Sequence, residues 1–285
     1  MRRFSVLTTL IAVSIICTTL FAGKSIASPE LLHKSKFDVD EIQFVFKTTQ
    51  TFDEADLLSI MNLPKLSSFI QNELDLDRQR IRKFYFDNGF FDAVVDTLTE
   101  YDTEDESILI SIIIIENNRY KIDKISTEGL ETIPPELQSR VNSDKVLVPG
   151  GYYSKAAILV ESARIETILQ SNGYFYAALD TAEGTVVSKY QSSDPSLKYR
   201  VNVSLKFMGA VKQYSFGKTK INIANNRYQL QNSLIERELN YKEGQLYNRD
   251  LLNQSERNLT KFAIIQTGRF SIDTVILLLN SSRAA

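Results

Sequence analysis

Apolar residues occupy every second position from Tyr199 through Val201, Val203 and Leu205 to Phe207, alternating with Arg200, Asn202, Ser204 and Lys206. That period predicts a strand with one buried face. Residues 108–115 are apolar except Ser111, which predicts an interior strand covered on both faces. The acidic stretch 101–107 reads as a hairpin loop joining that strand to another near 93–99. A different period marks three helices, through Ile81, Phe84 and Tyr85, through Ile165, Ile168 and Leu169, and through Leu259, Phe262 and Ala263. A glycine follows each one (Gly89, Gly173, Gly268), where a left-handed residue stops a helix. Strands at 41–48, 120–126 and 218–224, followed by shorter helices at 54–61, 136–141 and 230–238, complete the pattern.

The order β-α-α-β-β thus occurs three times. Asn88-Gly89, then aromatics, then Asp96-Thr97 is echoed by Asn172-Gly173, Tyr174-Phe175 and Asp180-Thr181. It returns as Thr267-Gly268, Phe270 and Asp273-Thr274. The glycines lie 84 and 95 residues apart, a domain-sized repeat too long for a solenoid. The expected class is α+β, with units at residues 37–118, 119–209 and 210–285. The third is incomplete, having one strand at 271–279 after its long helix.

The first residues read as an address. Arg2 and Arg3 precede an apolar run from Phe4 to Phe21, and Ser25 and Ala27 stand at the −3 and −1 positions of a cleavage site before Ser28. That is the grammar of a signal peptide over residues 1–27, with an uncleaved anchor as the alternative. Cys17, the sole cysteine, lies in the run behind Ile16, which does not suit lipidation. Cleavage leaves 30 Lys+Arg against 35 Asp+Glu and no cysteine. Without a basic excess a nucleic-acid partner is not expected. With His33 as the only histidine, a Ser-His-Asp triad or a His/Cys metal site is not expected either. Glu104, Asp105 and Glu106 are candidate acid–base carboxylates, but a charged hairpin loop is ordinarily a solvated turn. The expectation is a non-enzyme with no catalytic residue, metal or cofactor.

The segment Tyr85-Phe-Asp-Asn-Gly-Phe-Phe-Asp-Ala93 and its echo from Leu169 to Ala178 resemble the POTRA domains of the Omp85 family. So do the Gly-x-x-Tyr turns from Gly150 to Tyr153 and from Gly244 to Tyr247, and the stretch from Asn258 to Phe270. The resemblance implies a periplasmic scaffold for outer-membrane protein assembly or translocation. Its partners would be unfolded outer-membrane proteins and accessory assembly proteins. Such domains add a partner strand to an exposed sheet edge, normally that of the second strand. This points to Ala93, Val94, Val95, Asp96, Thr97 and Leu98 in the first unit. In the second, it points to Ala178, Leu179, Asp180, Thr181, Val186 and Val187, within a strand expected over 178–187. Gly89, Gly173 and Gly268 are the structural turns. The family continues into a membrane barrel that this sequence does not include, so outer-membrane association is expected only in a longer form. The alternatives are an inner-membrane-anchored POTRA protein, a two-partner secretion relative, or a truncated remnant.

Overall fold

A computed structural model describes residues 37–66, 68–181, 184–190, 194–222 and 231–261. The expected signal peptide, Cys17, His33, Gly268 and the strand at 271–279 lie outside them. The described residues divide into two compact units, one of those up to Ile81 with Val95–Ile114, the other of Arg82–Val94 with those from Ile115 onward.

The first repeat is built on β1 (Asp38–Phe46), α1 (Glu54–Ile60), α2 (Gln71–Asp87), β2 (Val94–Asp102) and β3 (Ser107–Ile115), with a 3-10 turn at Leu63–Lys65 after α1. The sheet order is β1-β3-β2. β1 runs parallel to β3, which is possible only because the two helices carry the chain across the sheet between them. Ile108, Ile110, Ile112 and Ile114 are fully buried, with Leu57, Met61, Leu63, Leu74 and Ile81. Leu109, Ile113 and Ile115 are only half-buried. The expected cover on both faces of this strand is therefore corrected: one face is sealed. The other is shielded within the sheet, where Gln43 Nε2 on β1 donates to Ser111 Oγ at 2.6 Å.

The second unit repeats the plan with β4 (Lys121–Glu128), α3 (Pro135–Asn142), α4 (Lys155–Gln170), β5 (Ala178–Leu179), β6 (Thr185–Lys189) and β7 (Arg200–Met208). β7 is central, with β4 parallel on one side and β5 and β6 antiparallel on the other. Val201, Val203, Leu205 and Phe207 are the buried face that the alternation predicted. They join one core with Leu137 and Val141 of α3 and Ile158, Ile165 and Leu169 of α4.

The continuous strand expected over 178–187 is corrected to two pieces. Asp180 N donates to Lys206 O, and Lys206 N donates to Gly184 O, so a single β7 residue faces both ends of the interruption. This is a bulged ladder.

Two further helices follow, α5 (Asn232–Glu236) and α6 (Arg249–Thr260). Residues 218–222 of the expected third opening strand form no strand, and 223–230 lie outside the described residues. In the first two repeats that strand bonds to the last strand of its own sheet. Among the described residues 218–222 have no such partner.

Candidate functional site

Sheet order, which alternation alone does not give, decides which strands present an edge. β1 and β4 are edges with irregularities, their registers slipping between Val39 and Glu41 and between Ile122 and Lys124. The start of β4 is further engaged by the turn before α4, where Ile122 N donates to Gly151 O and Gly150 N to Ile122 O. The opposite edges belong to β2 and β6. Among the described residues no strand pairs with the outer side of either.

On the first edge, Ala93 is buried in the turn before β2, its amide donating to Phe90 O at 3.1 Å. Val94, Asp96 and Leu98 are exposed, Val95 is buried and Thr97 half-buried. Asp96 Oδ1 lies 3.7 Å from Arg78 Nη1. On the other edge, Ala178, Leu179 and Asp180 are half-buried, and Thr181 and Val186 exposed. Val187 packs on the core. Apart from Ala93, Asp180 and Thr181, which lie outside the strands, each set runs along one edge, and the two sets belong to different sheets.

The glycine turns do more than stop helices. Beyond α2, Phe90 N donates to Tyr85 O and Gly89 N to Phe86 O, the Schellman pair of bonds, while the Tyr85 and Phe90 rings meet at 5.6 Å. Gly89 O then accepts from Tyr120 N, whose own carbonyl accepts from Tyr153 N. The Phe91 ring sits against both tyrosines, at 5.1 and 4.8 Å. The bonds recur one repeat later: Tyr174 N to Leu169 O, Tyr214 N to Gly173 O, and Tyr247 N to Tyr214 O. Phe175 takes the place of Phe91, 4.9 Å from Tyr247. Arg119 Nε donates to Asn88 O, and Gln213 Nε2 to Asn172 O. Both turns therefore join a long helix to the next opening segment through main-chain bonds, with an aromatic ring as the plug.

The first turn carries an addition. Asp92 accepts from Tyr120 Oη at 2.6 Å and from Lys189 Nζ at 2.7 Å, and Lys189 also stands over the Tyr120 ring. Burial raises the Asp92 carboxyl, but the Lys189 and Tyr120 bonds outweigh it and hold the group below the usual carboxylate range. The Tyr120 hydroxyl is pushed up, first by burial and then by its bond to Asp92.

A second repeated device was not singled out from the sequence. Asp77, Glu161 and Ser255 are buried polar residues on the three long helices. Each accepts main-chain amides of the stretch after the short helix: Asn62 and Leu63 for Asp77, Val146 for Glu161, Asn240 for Ser255. Three positions on, Arg80 pairs with Asp77 and Arg164 with Glu161. Arg164 Nη2 also donates to Val141 O, as Asn258 Nδ2 does to Glu238 O. Their spacing, 84 and 94 residues, nearly matches that of the glycines and was the available signal. Among the described residues no cluster of His, Cys, Asp and Glu suits a metal ion, and every buried side-chain N and O has a partner.

Sheets crossed by two helices, copied in tandem and joined through glycine–aromatic turns, define an α+β repeat protein. The family model of the POTRA domain, described as surface antigen variable number repeat, matches residues 38–117 and 218–276. BamA, the outer membrane protein assembly factor of Neisseria meningitidis serogroup B, is 24% identical over 174 residues, 55% of this chain and 21% of that protein. BamA of Buchnera aphidicola is 23% identical over 257 residues, 90% of this chain and 37% of that protein. The crystal structure of Haemophilus influenzae BamA POTRA3-5 superposes with a TM-score of 0.50 at 18% identity, covering 84% of this chain and 90% of that one. By the family model residues 38–117 and 218–276 are POTRA domains, and over most of its length the chain is similar to BamA. It spans between about a sixth and somewhat over a third of the length of the curated relatives it matches.

Proposed function

We propose that the chain is an exported, non-enzymatic POTRA scaffold for outer-membrane protein assembly or translocation, acting in the periplasm. It binds unfolded outer-membrane proteins and accessory assembly proteins by adding their strands to the edges of β2 and β6. Three units, at residues 37–118, 119–209 and 210–285, form the scaffold. The repeated turns and buried polar ties support that division. The observation that carries the proposal is the position of both second strands at a sheet edge, with exposed Val94, Leu98 and Val186 along them. An edge strand offers unpaired main-chain groups to an extended peptide.

Proline substitution tests this on β6. Lys206 N bonds Gly184 O, and bonded and non-bonded pairs alternate along an antiparallel ladder. Val186 and Ser188 therefore bond inward to β7, while the amides of Thr185 and Val187 point outward. Thr185→Pro should leave the thermal midpoint nearly unchanged, because proline is tolerated where the amide faces away from the sheet. It should weaken binding of a nine-residue peptide of alternating Val and Thr by up to about tenfold, roughly one hydrogen bond. Val186→Pro should instead destabilise the sheet by about 3 kcal/mol. Wild-type affinity in Thr185→Pro, with no peptide-induced slowing of amide exchange in β2 or β6, would sink strand addition.

A further inference from the structure

We infer that the β2 edge selects cationic extended segments, binding partner strands that carry Lys or Arg four residues apart; this rests on the strand-addition reading above. From Phe84 to Asn118 the sequence holds nine Asp and Glu and no Lys or Arg. Folding puts several of these along a single edge. Val94, Asp96, Leu98 and Glu100 are the exposed alternate positions of β2. Asp102 ends the strand and accepts the amides of Glu104 and Asp105, which folds the acidic turn back at its tip.

The edge is also the one built for pairing, since β2 runs nine residues, whereas the outer strand of the other sheet is broken into β5 and β6. Among the basic side chains of α2 in the first unit, Arg80 is held by Glu73 and Asp77. Arg78 reaches Asp96 at 3.7 Å, but those side chains are 40% and 69% exposed, so the pair is weak and open to exchange.

A strand laid against β2 brings its side chains opposite those of β2 to within about 5 Å on the same face, close enough for charge to count. Lysines four residues apart would face Asp96 and Glu100, with apolar residues meeting Val94 and Leu98. A strand bearing acids there would meet like charge twice. So would a second copy of β2, and the acids therefore keep the edge from pairing with itself. The β6 edge differs, exposing Thr185, Val186, Ser188 and Lys189.

The test uses the whole chain and three nine-residue peptides of alternating Val and Thr. Two Thr positions, four residues apart, are kept or replaced by Lys or Glu. At low salt the Lys peptide should bind about tenfold more tightly than the Thr peptide, the sum of two cross-strand charge pairs. The Glu peptide should be weakest. The gap should close in 1 M salt, and Asp96→Asn with Glu100→Gln should bind Lys and Thr peptides alike. Equal binding of Lys and Glu peptides by the unaltered chain, with β2 amide exchange slowed by both, overturns charge selection while leaving strand addition standing. A Lys peptide N-methylated at alternate amides that binds as tightly also overturns it, because charge alone would then suffice. If no peptide slows exchange in β2, strand addition there fails and this inference fails with it.

Discussion

Asp77→Ala should lower the stability of the folded chain by about 2–5 kcal/mol, chiefly the cost of leaving two main-chain amides without their acceptor. The carboxylate is fully buried and accepts Asn62 N at 2.8 Å and Leu63 N at 2.7 Å, with Arg80 beside it. Alanine leaves two amides without an acceptor and Arg80 with Glu73 alone. Asp77→Asn should cost less, because an amide keeps one acceptor oxygen. Glu161→Ala should act alike, freeing Val146 N and removing the partner that aims Arg164 at Val141 O. Glu161 adds a pH signature. Burial raises its carboxyl, but the Arg164 bond, the Val146 amide and nearby positive charge outweigh that and hold it below 4.5. A depressed folded pKa stabilises above the unfolded value and is lost as pH falls through the folded one. The wild type should therefore lose stability relative to Glu161→Gln as pH drops below about 4.5. Urea midpoints measured from pH 7 to pH 3 check both effects. A midpoint unmoved by Asp77→Ala, or parallel pH curves for wild type and Glu161→Gln, would show that these carboxylates do not tie the helices down.

That device shows where the sequence stops being legible. Asp77 and Glu161 sit among other charges on long helices, so in sequence they look like part of a solvated face. Only the fold reveals that the stretch after each short helix comes back with amides needing an acceptor. Ser255 does the same work without charge, which hides the correspondence further. Period was informative where one face meets a core, as at Val201, Val203, Leu205 and Phe207. At residues 108–115 it gave the central place of β3 but not its cover, since a run apolar but for Ser111 does not distinguish a strand covered twice from one sealed on a single face. The break between β5 and β6 was invisible because it depends on Lys206, more than twenty residues away in sequence, facing both Asp180 and Gly184. The edge character of β2 is likewise a property of sheet order: Val94, Asp96 and Leu98 would alternate in the same way in a central strand.

The glycine turns were legible as helix stops, and the two described ones should respond differently to a side chain. Both have φ near +90°, +92° at Gly89 and +93° at Gly173, so any L residue there costs about 1–2 kcal/mol before it touches anything. A β-branched residue costs more, and Gly173→Val should destabilise the second unit measurably. What the new Cβ meets then separates the two. At Gly89 it would come to 2.8 Å from Tyr153 O and 3.3 Å from Tyr153 Cβ. The residue struck is the one whose amide bonds Tyr120 O, so relieving the clash disturbs the main-chain bonds of the turn itself. At Gly173 the nearest atom is Leu246 Cδ1 at 2.7 Å, the end of a side chain that can rotate away, followed by Gln213 Cβ and Cγ at 3.2 Å. Gly89→Ala should therefore cost about 3 kcal/mol, left-handed strain plus a backbone shift, and Gly173→Ala about 1–2 kcal/mol. Leu246→Ala should recover part of the loss in Gly173→Val by emptying the space, whereas no side-chain truncation removes a carbonyl oxygen. Thermal unfolding of the four variants decides it. Equal losses for the two alanine variants, or no recovery with Leu246→Ala, would mean that positive φ alone keeps these residues glycine and that the close approach of the next segment contributes nothing.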